Sequence, residues 1–312
     1  MNEINAPNGR NVKKTILQNG LAVLLVLVLL AVAVVASTLE QKTTGQPLQI
    51  GLNREPLAYC AFLALADTNS DYTVSFLDGH EETIAALKDG TLDGALLPAR
   101  YVGELTKDEY AVIAVTAYMS LTAIENGGSV DSIYDLDGRP IVIPDSVRGT
   151  LEIQMLSALL SQAGISPDLT FEPEYAVWQR VQDGNFDIMI LPAQQCAPVL
   201  AYSGRYRSCF KLASQWNTLL GTRPPAGSCI IVRNACIEEK RDAIRDFLAA
   251  IKNSIRFLTT HRQKSATAIV ANGLDDDIEY IRGTISHCMF VYLDGDYMAE
   301  SIRQLSMLTQ MQ

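Results

Sequence analysis

The chain has 312 residues, 48% hydrophobic and 19% charged, with a formal net charge of −10; these are the values of a globular protein long enough to outgrow one core. Residues 1–42 carry Arg10, Lys13, Lys14 and Lys42 against Glu3 and Glu40, so the remainder is more acidic than the whole. That sign excludes a nucleic-acid binder, which needs clustered Lys and Arg to displace counterions from phosphate.

Residues 16–36 hold no charged side chain, and from position 21 onward every one of them is apolar. As a helix this segment would be roughly 31 Å long, enough for a hydrocarbon core, and no polar stripe marks it as an ordinary buried helix. Three cations precede it, so residues 1–15 are expected to be a cytoplasmic n-region, 16–36 a transmembrane anchor or signal segment, and 37–46 a linker to an extracytoplasmic body. Ala31-Val32-Ala33 and Val34-Val35-Ala36 both fit a small-residue cleavage site, so a cleaved signal stays open beside the anchor. The length of the apolar run favours the anchor. No cysteine precedes Cys60, which excludes lipid attachment directly after the segment.

In that compartment disulfides are permitted. Cys60, Cys196, Cys209, Cys229, Cys236 and Cys288 are an even set, in which Cys196–Cys209 and Cys229–Cys236 are the pairs closest in sequence. Buried free thiols are the alternative, since Cys60 and Cys229 sit in apolar stretches. Neither Cys-x-x-Cys nor a Cys/His cluster with zinc spacing occurs, so no metal and no cofactor are expected.

Beyond the linker, short apolar runs alternate with helical patterns. Strands are expected at 48–52, 73–77, 94–97, 111–116 and 121–125, with helices at 57–66 and 81–88 between them. Gly127-Gly128 closes this first unit. The second opens with a helical turn at 132–136, then strand 140–143, helix 150–163 ended by Gly164, strand 169–172, helix 176–182, strand 188–191 and helix 196–202. A strongly apolar strand at 229–232 follows the turn Arg223-Pro224-Pro225-Ala226-Gly227. Everything after it reads as helix: 238–260, 263–271, 275–286 and 296–307. Alternating strands and helices indicate an α/β fold with mostly parallel sheets.

An internal repeat sharpens this. Asp89-Gly90-Thr91-Leu92-Asp93-Gly94-Ala95-Leu96-Leu97-Pro98-Ala99 aligns without a gap to Asp183-Gly184-Asn185-Phe186-Asp187-Ile188-Met189-Ile190-Leu191-Pro192-Ala193, with six of eleven positions identical. In each copy a helix ends at a glycine suited to a left-handed C-cap, an Asp enters a short buried strand, and Pro ends it. The aspartates are read chiefly as parts of a helix-to-strand connector, and the loops after each Leu-Pro-Ala as the functional part, because ligands of open α/β sheets sit beyond the carboxyl ends of strands.

With the repeat placed, the chain resembles the solute-binding proteins of ABC importers of the sulfonate/nitrate/thiamine-precursor type. The resemblance runs from about Leu48 to the C-terminus. It rests on Ala85-Ala86-Leu87-Lys88-Asp89-Gly90-Thr91-Leu92-Asp93, on Ser132-Ile133-Tyr134-Asp135-Leu136-Asp137-Gly138-Arg139-Pro140-Ile141-Val142-Ile143-Pro144, and on Leu160-Ser161-Gln162-Ala163-Gly164-Ile165. Many relatives carry Glu-Pro after the second-lobe strand, where this chain has Pro192-Ala193-Gln194-Gln195, so that Glu is not carried over. The resemblance implies the type II periplasmic-binding fold: two α/β lobes joined by two crossovers and closing by a hinge. On that layout lobe one is 47–126 plus 220–312 and lobe two is 127–219, with crossovers near 126–128 and 218–225.

Candidate ligand-binding residues follow from the strand ends. In lobe one they are Asn53 and Arg54 with Glu55 and Pro56, His80, Pro98 with Ala99, and Tyr118. In lobe two they are Ser146, Arg148 and Thr150 at the start of a long helix, where backbone N–H groups favour an anion, and Gln194 with Gln195. Arg54 and Arg148, from opposite lobes, suit a carboxylate, sulfonate or phosphate clamp; Tyr118 and Trp216 could stack on a planar ligand. His261 and His287 are read as structural. No GxSxG, phosphate loop or HExxH occurs. The expectation is a monomeric, non-catalytic binding protein serving an ABC permease and ATPase, with a small organic anion or heteroaromatic solute as ligand. An enzyme of the thiamine-pyrimidine or menaquinone-pathway type and a ligand-sensing ectodomain are the alternatives on the same fold.

Overall fold

The structure is a computed structural model that describes residues 46–68 and 70–310. The expected n-region, the apolar segment 16–36 and nearly all of the linker 37–46 lie outside the described residues. Among the described residues no helix is long and apolar enough to cross a membrane.

Eleven strands among the described residues form two sheets. The first contains β1 (Leu48–Asn53), β2 (Tyr72–Leu77), β3 (Gly94–Pro98), β4 (Tyr110–Tyr118), β10 (Ala226–Arg233) and β11 (Phe290–Leu293), in the order β11-β4-β10-β3-β1-β2. The second contains β5 (Thr122–Asn126), β6 (Pro140–Pro144), β7 (Asp168–Glu172), β8 (Ile188–Leu191) and β9 (Tyr206–Lys211), in the order β7-β6-β8-β5-β9. Each has a parallel trio, β2-β1-β3 or β7-β6-β8, extended by one strand running the other way, β10 or β5. The two sheets are therefore built to one plan, as the repeat implied.

Alternation along the strands explains their burial. In β3, Leu96 faces one apolar cluster while Ala95 and Leu97 face another; in β8, Ile188 and Ile190 separate from Met189 and Leu191 in the same way. Successive side chains of a strand point to opposite faces, and helices cover both faces, so these strands read as continuous apolar runs.

Two expectations need correction. The strand at 121–125 was placed in lobe one, but β5 pairs with β8 and β9 of the second sheet. The chain therefore crosses between sheets at residues 119–121, before the strand; Gly127-Gly128 is only the turn that follows it. Secondly, the stretch after residue 232 is not wholly helical, because β11 returns to the edge of the first sheet. Of the two readings left open for the cysteines, the structure has the free thiols: all six are free. Cys196 directs its thiol to carbonyls of its own helix start, Leu191 and Pro192, while Cys236 donates to Asp93 Oδ1 at 3.1 Å; each thiol of the proposed pairs already has a separate environment.

The repeated aspartates are anchors. Asp93 accepts from Gln49 N–H at 2.8 Å and from Lys240 Nζ at 2.5 Å. Asp187 takes a two-pronged bond from Arg139, at 2.7 and 2.6 Å. Both lie at the entry of their strands, a strand's length from the prolines. Gly90 and Gly184 close the preceding helices with φ of 84° and 66°, a conformation cheap only for glycine.

The copies differ at Gly94, which aligns with Ile188. A Cβ at Gly94 would lie 2.9 Å from Ile231 O, Ile50 Cδ1 and Val232 Cγ1. Gly94→Ala is expected to cost about 1–3 kcal/mol by overpacking, read as a lower urea midpoint with an unchanged m-value. An unaltered midpoint would show that the first sheet can spread at this point.

From Pro47 onward the chain forms one compact unit. Its two crossovers run side by side: Met119 N–H donates to Pro225 O at 2.9 Å, and a Cβ at Gly227 would lie 2.6 Å from Tyr118 backbone atoms. The C-terminal helix Gly295–Thr309 braces the second crossover through Ser301 Oγ to Pro224 O at 2.8 Å and Glu300 to Arg223 at 3.3 Å.

Candidate functional site

Where the carboxyl ends of β1, β3, β6 and β8 converge lies a cleft of about 640 Å³. Its wall in lobe one is Arg54, Glu55, Pro56 and Leu57 after β1, Pro98 and Arg100 after β3, Tyr118 at the end of β4, Gly227, and Tyr280, His287 and Cys288 from the C-terminal part. Lobe two supplies Leu121, Ser146, Val147, Thr150, Glu152, Pro192, Ala193 and Gln194, with Met119 and Ser120 of the crossover between.

The structure brings eight expected residues together here: Arg54, Glu55, Pro56, Pro98, Tyr118, Ser146, Thr150 and Gln194. The others lie elsewhere. Asn53 is buried behind the first strand, donating to Leu77 O at 3.1 Å and accepting from Thr83. His80 is held by Glu55 at 3.2 Å and stacks on Tyr101. Ala99 is buried in the core and Gln195 sits one residue past the lining. Arg148 points away: its guanidinium lies over Phe171 and pairs with Asp145 at 2.6 Å, which neutralises the charge meant for the clamp. Trp216 is core, only 5% exposed, with its indole N–H on Thr222.

Arg100 is the second arginine of the cleft, but it comes from lobe one like Arg54, so the expected clamp of two arginines from opposite lobes is not formed. Arg100 was missed although the repeat, extended by one residue, aligns it with Gln194, and both line the cleft. Among the described residues neither Arg54 nor Arg100 pairs with a carboxylate. Arg54 Nε donates to Gly273 O at 3.1 Å with its guanidinium 4.2 Å over Phe76, and Arg100 lies 4.7 Å over Tyr101. Stacking on a ring fixes a guanidinium, and no hydrogen bond is formed by the Nη groups of Arg54 or by Nε and Nη1 of Arg100 among the described residues.

Lobe two borders the same cleft with two helix starts. Helix Leu151–Ala163 begins after Thr150, whose hydroxyl donates backwards to Val147 O at 2.8 Å instead of capping. Helix Ala193–Tyr202 begins after Pro192, which has no polar side chain to cap with. First-turn N–H groups left uncapped carry partial positive charge. Two carboxylates are the counterweight: Glu152, in the first turn of the former helix, and Glu55, which is held to His80.

His287 and Cys288 form the floor. Burial first, then the cations Lys211 and Arg262, push the imidazole down to about 4, so it is neutral near pH 7. Burial pushes the Cys288 thiol up, which keeps it protonated. No sequence pattern announced these two, because the cleft acquires them only by tertiary contact between residue 287 and β5.

The comparisons with known proteins agree with this architecture. The chain matches the family described as NMT1/THI5 like over residues 73–265. No curated protein sequence matches it. Among solved structures it is similar to an ABC transporter protein from Parabacteroides distasonis, at 15% identity and a TM-score of 0.64, covering 86% of this chain and 93% of that one. It is also similar to the periplasmic aliphatic sulphonate binding protein SsuA from Escherichia coli, at 15% identity and a TM-score of 0.60, covering 86% and 88%. A third is the alkanesulfonate-binding protein SsuA from Xanthomonas axonopodis pv. citri bound to MOPS, at 12% identity and a TM-score of 0.53, covering 86% and 93%. At such identities the likeness speaks for the fold, and the sheet order and cleft described above speak for the same one. The chain belongs to the NMT1/THI5-like family and has its two-lobed α/β periplasmic-binding fold of type II.

Proposed function

We propose that this protein is the extracytoplasmic substrate-binding component of an ABC importer, closing its two lobes over a small organic anion. The observation that carries the reading is the cleft's lining: Arg54 and Arg100, neither paired with a carboxylate, border the same cavity as two uncapped helix starts of the other lobe. Anionic groups are stabilised by both kinds of partner.

Volume and lining narrow the class. A cleft of about 640 Å³ is the size of small-molecule sites and far exceeds an inorganic anion of a few water volumes, each about 30 Å³. Leu57, Tyr118, Met119, Leu121, Val147 and Tyr280 add apolar wall, so the ligand needs an apolar or heteroaromatic body. Glu152 would accept a hydrogen bond from an amino or hydroxyl group on that body. Binding without turnover fits the floor, where the Cys288 thiol stays protonated and His287 is engaged by Thr122.

On this reading the segment 16–36 tethers the monomeric body to the outer face of the membrane, or directs its secretion if cleaved. A permease and an ATPase complete the importer. Thermal-shift screening of residues 43–312 against alkanesulfonates, aryl carboxylates, thiamine precursors and nitrate tests the class. Organic anions should raise the melting temperature and nitrate should not; a response to nitrate alone would refute the proposed ligand class.

A further inference from the structure

Besides the crossovers and the contact of helix Gly295–Thr309 with helix Leu151–Ala163, the lobes meet along a further seam. Helix Ala193–Tyr202 of lobe two packs on helix Ile278–Ile285 of lobe one. Gly283 approaches so closely that a Cβ there would fall 2.6 Å from Ala197 Cβ. Nearby, His287 Nδ1 lies 3.2 Å from Thr122 Oγ1, joining lobe one to the first residue of β5 in lobe two. Both residues are buried.

We infer that His287 is a positioning residue of the cleft: its bond to Thr122, beside the Gly283–Ala197 contact, is the latch that holds the lobes closed. A hinge motion that parts the lobes must break this bond and this contact. The crossover bonds, such as Met119 to Pro225, need not change. The hydroxyl and the imidazole satisfy each other while the seam is shut, and parting the lobes exchanges that bond for bonds to water. Since His287 also lines the cleft, a ligand seated there adjoins the latch directly.

The charges around the latch make it sensitive to acid. Lys211 on β9 faces His287 from lobe two, and Arg262 at the start of helix Arg262–Ala271 faces it from lobe one. Cys196, Cys288 and Tyr280 belong to the same buried neighbourhood and are uncharged while their protons stay on. Glu55 also acts on Cys288, but it is already paired with His80. An imidazole held near 4 in the closed form returns toward its ordinary 6.5 once hydrated. The closed form therefore binds fewer protons, and closure weakens as pH falls from 6.5 toward 4.

The test uses the full chain in detergent micelles without added ligand, so its outcome does not depend on the proposed ligand class. Nitroxides on Arg148→Cys and Asp276→Cys, in lobes two and one, report the interlobe distance by double electron–electron resonance. His287→Ala, Thr122→Val and Gly283→Leu should each move the distribution to a longer mean. A control pair within lobe two, Arg148→Cys with Asp183→Cys, should stay unmoved. If His287→Ala disturbs the control pair, the near-isosteric Thr122→Val decides. His287→Asn, which keeps a polar amide at the Nδ1 position and does not titrate, should hold the closed distance at pH 7.5 and at pH 5, where the wild type lengthens. Wild-type distances in both Thr122→Val and His287→Ala, or equal pH responses of wild type and His287→Asn, would overturn the latch.

Discussion

Replacing Arg54 and Arg100 together with alanine is expected to weaken binding of an organic anion by about a hundredfold or more. Each guanidinium offers a charge-assisted hydrogen bond, worth about 1.5–3 kcal/mol, and each 1.4 kcal/mol is about tenfold in affinity. The low end of that range applies, since both side chains are exposed and water screens them. Arg100→Lys should recover only part of the loss, because an ammonium keeps the charge but not the planar fork stacked on Tyr101. Arg148→Ala is the matched control, as its charge is spent on Asp145 outside the cleft. Calorimetric titration separates these variants. Should Arg148→Ala cost more than the double substitution, the site has been placed on the wrong side of β6.

The second large effect concerns stability. Glu125→Ala is expected to destabilise lobe two by about 1–3 kcal/mol, the cost of leaving the N–H groups of Ser129 and Val130 without their acceptor, while the half-exposed Arg207 keeps Asp131. The Glu125 side chain is 1% exposed. Its Oε1 accepts from Arg207, including Nε at 2.8 Å, and its Oε2 accepts the backbone N–H groups of Ser129 at 3.0 Å and Val130 at 3.1 Å. One carboxylate thus ties β5 to β9 and shapes the glycine turn that follows. Burial works against the charge, yet the Arg207 guanidinium and the two N–H groups outweigh it and hold the carboxyl below its usual 4.5. A depressed acid contributes stability that is complete above its unfolded value and is lost as pH falls through the folded one. Urea midpoints of the wild type should therefore drop below about pH 4.5 more steeply than those of Glu125→Ala. Parallel pH profiles would mean that Arg207 is held by Asp131 and Val130 O alone.

How far the sequence alone leads can be judged from individual residues. The parallel trios were legible because their strands are apolar on both faces, and the repeat announced two sheets of one plan. The strands β9 and β11 were not. Tyr206-Arg207-Ser208-Cys209-Phe210-Lys211 carries charge at two of six positions, and Phe290–Leu293 is four residues long; both are edge strands, where one side needs no partner. Assigning β5 to lobe one followed from trusting Gly127-Gly128 as a boundary, whereas pairing with β8 is a long-range choice that no local signal encodes.

Within the cleft, position after a strand end was a sound guide and side-chain direction was not. Arg54, Ser146, Thr150 and Gln194 follow strand ends and line the cavity; Asn53 and His80 also follow strand ends but turn to Leu77, Thr83 and Glu55. The Asp145–Arg148 pair was readable from its three-residue spacing, and giving it weight would have directed attention to Arg100. His287 could not have been found this way. Its environment is made by Thr122, Lys211 and Arg262, which are distant in sequence.

The central claim is that the cleft binds a small organic anion and leaves it unchanged. Isothermal titration of residues 43–312 with short alkanesulfonates and aryl carboxylates, followed by recovery of the ligand, tests it most directly. The account predicts one saturable site per chain for at least one of these anions, weakened by the Arg54/Arg100 double substitution, with the ligand recovered intact. Chemical conversion of the ligand, or no saturable binding by any of these anions, would contradict it.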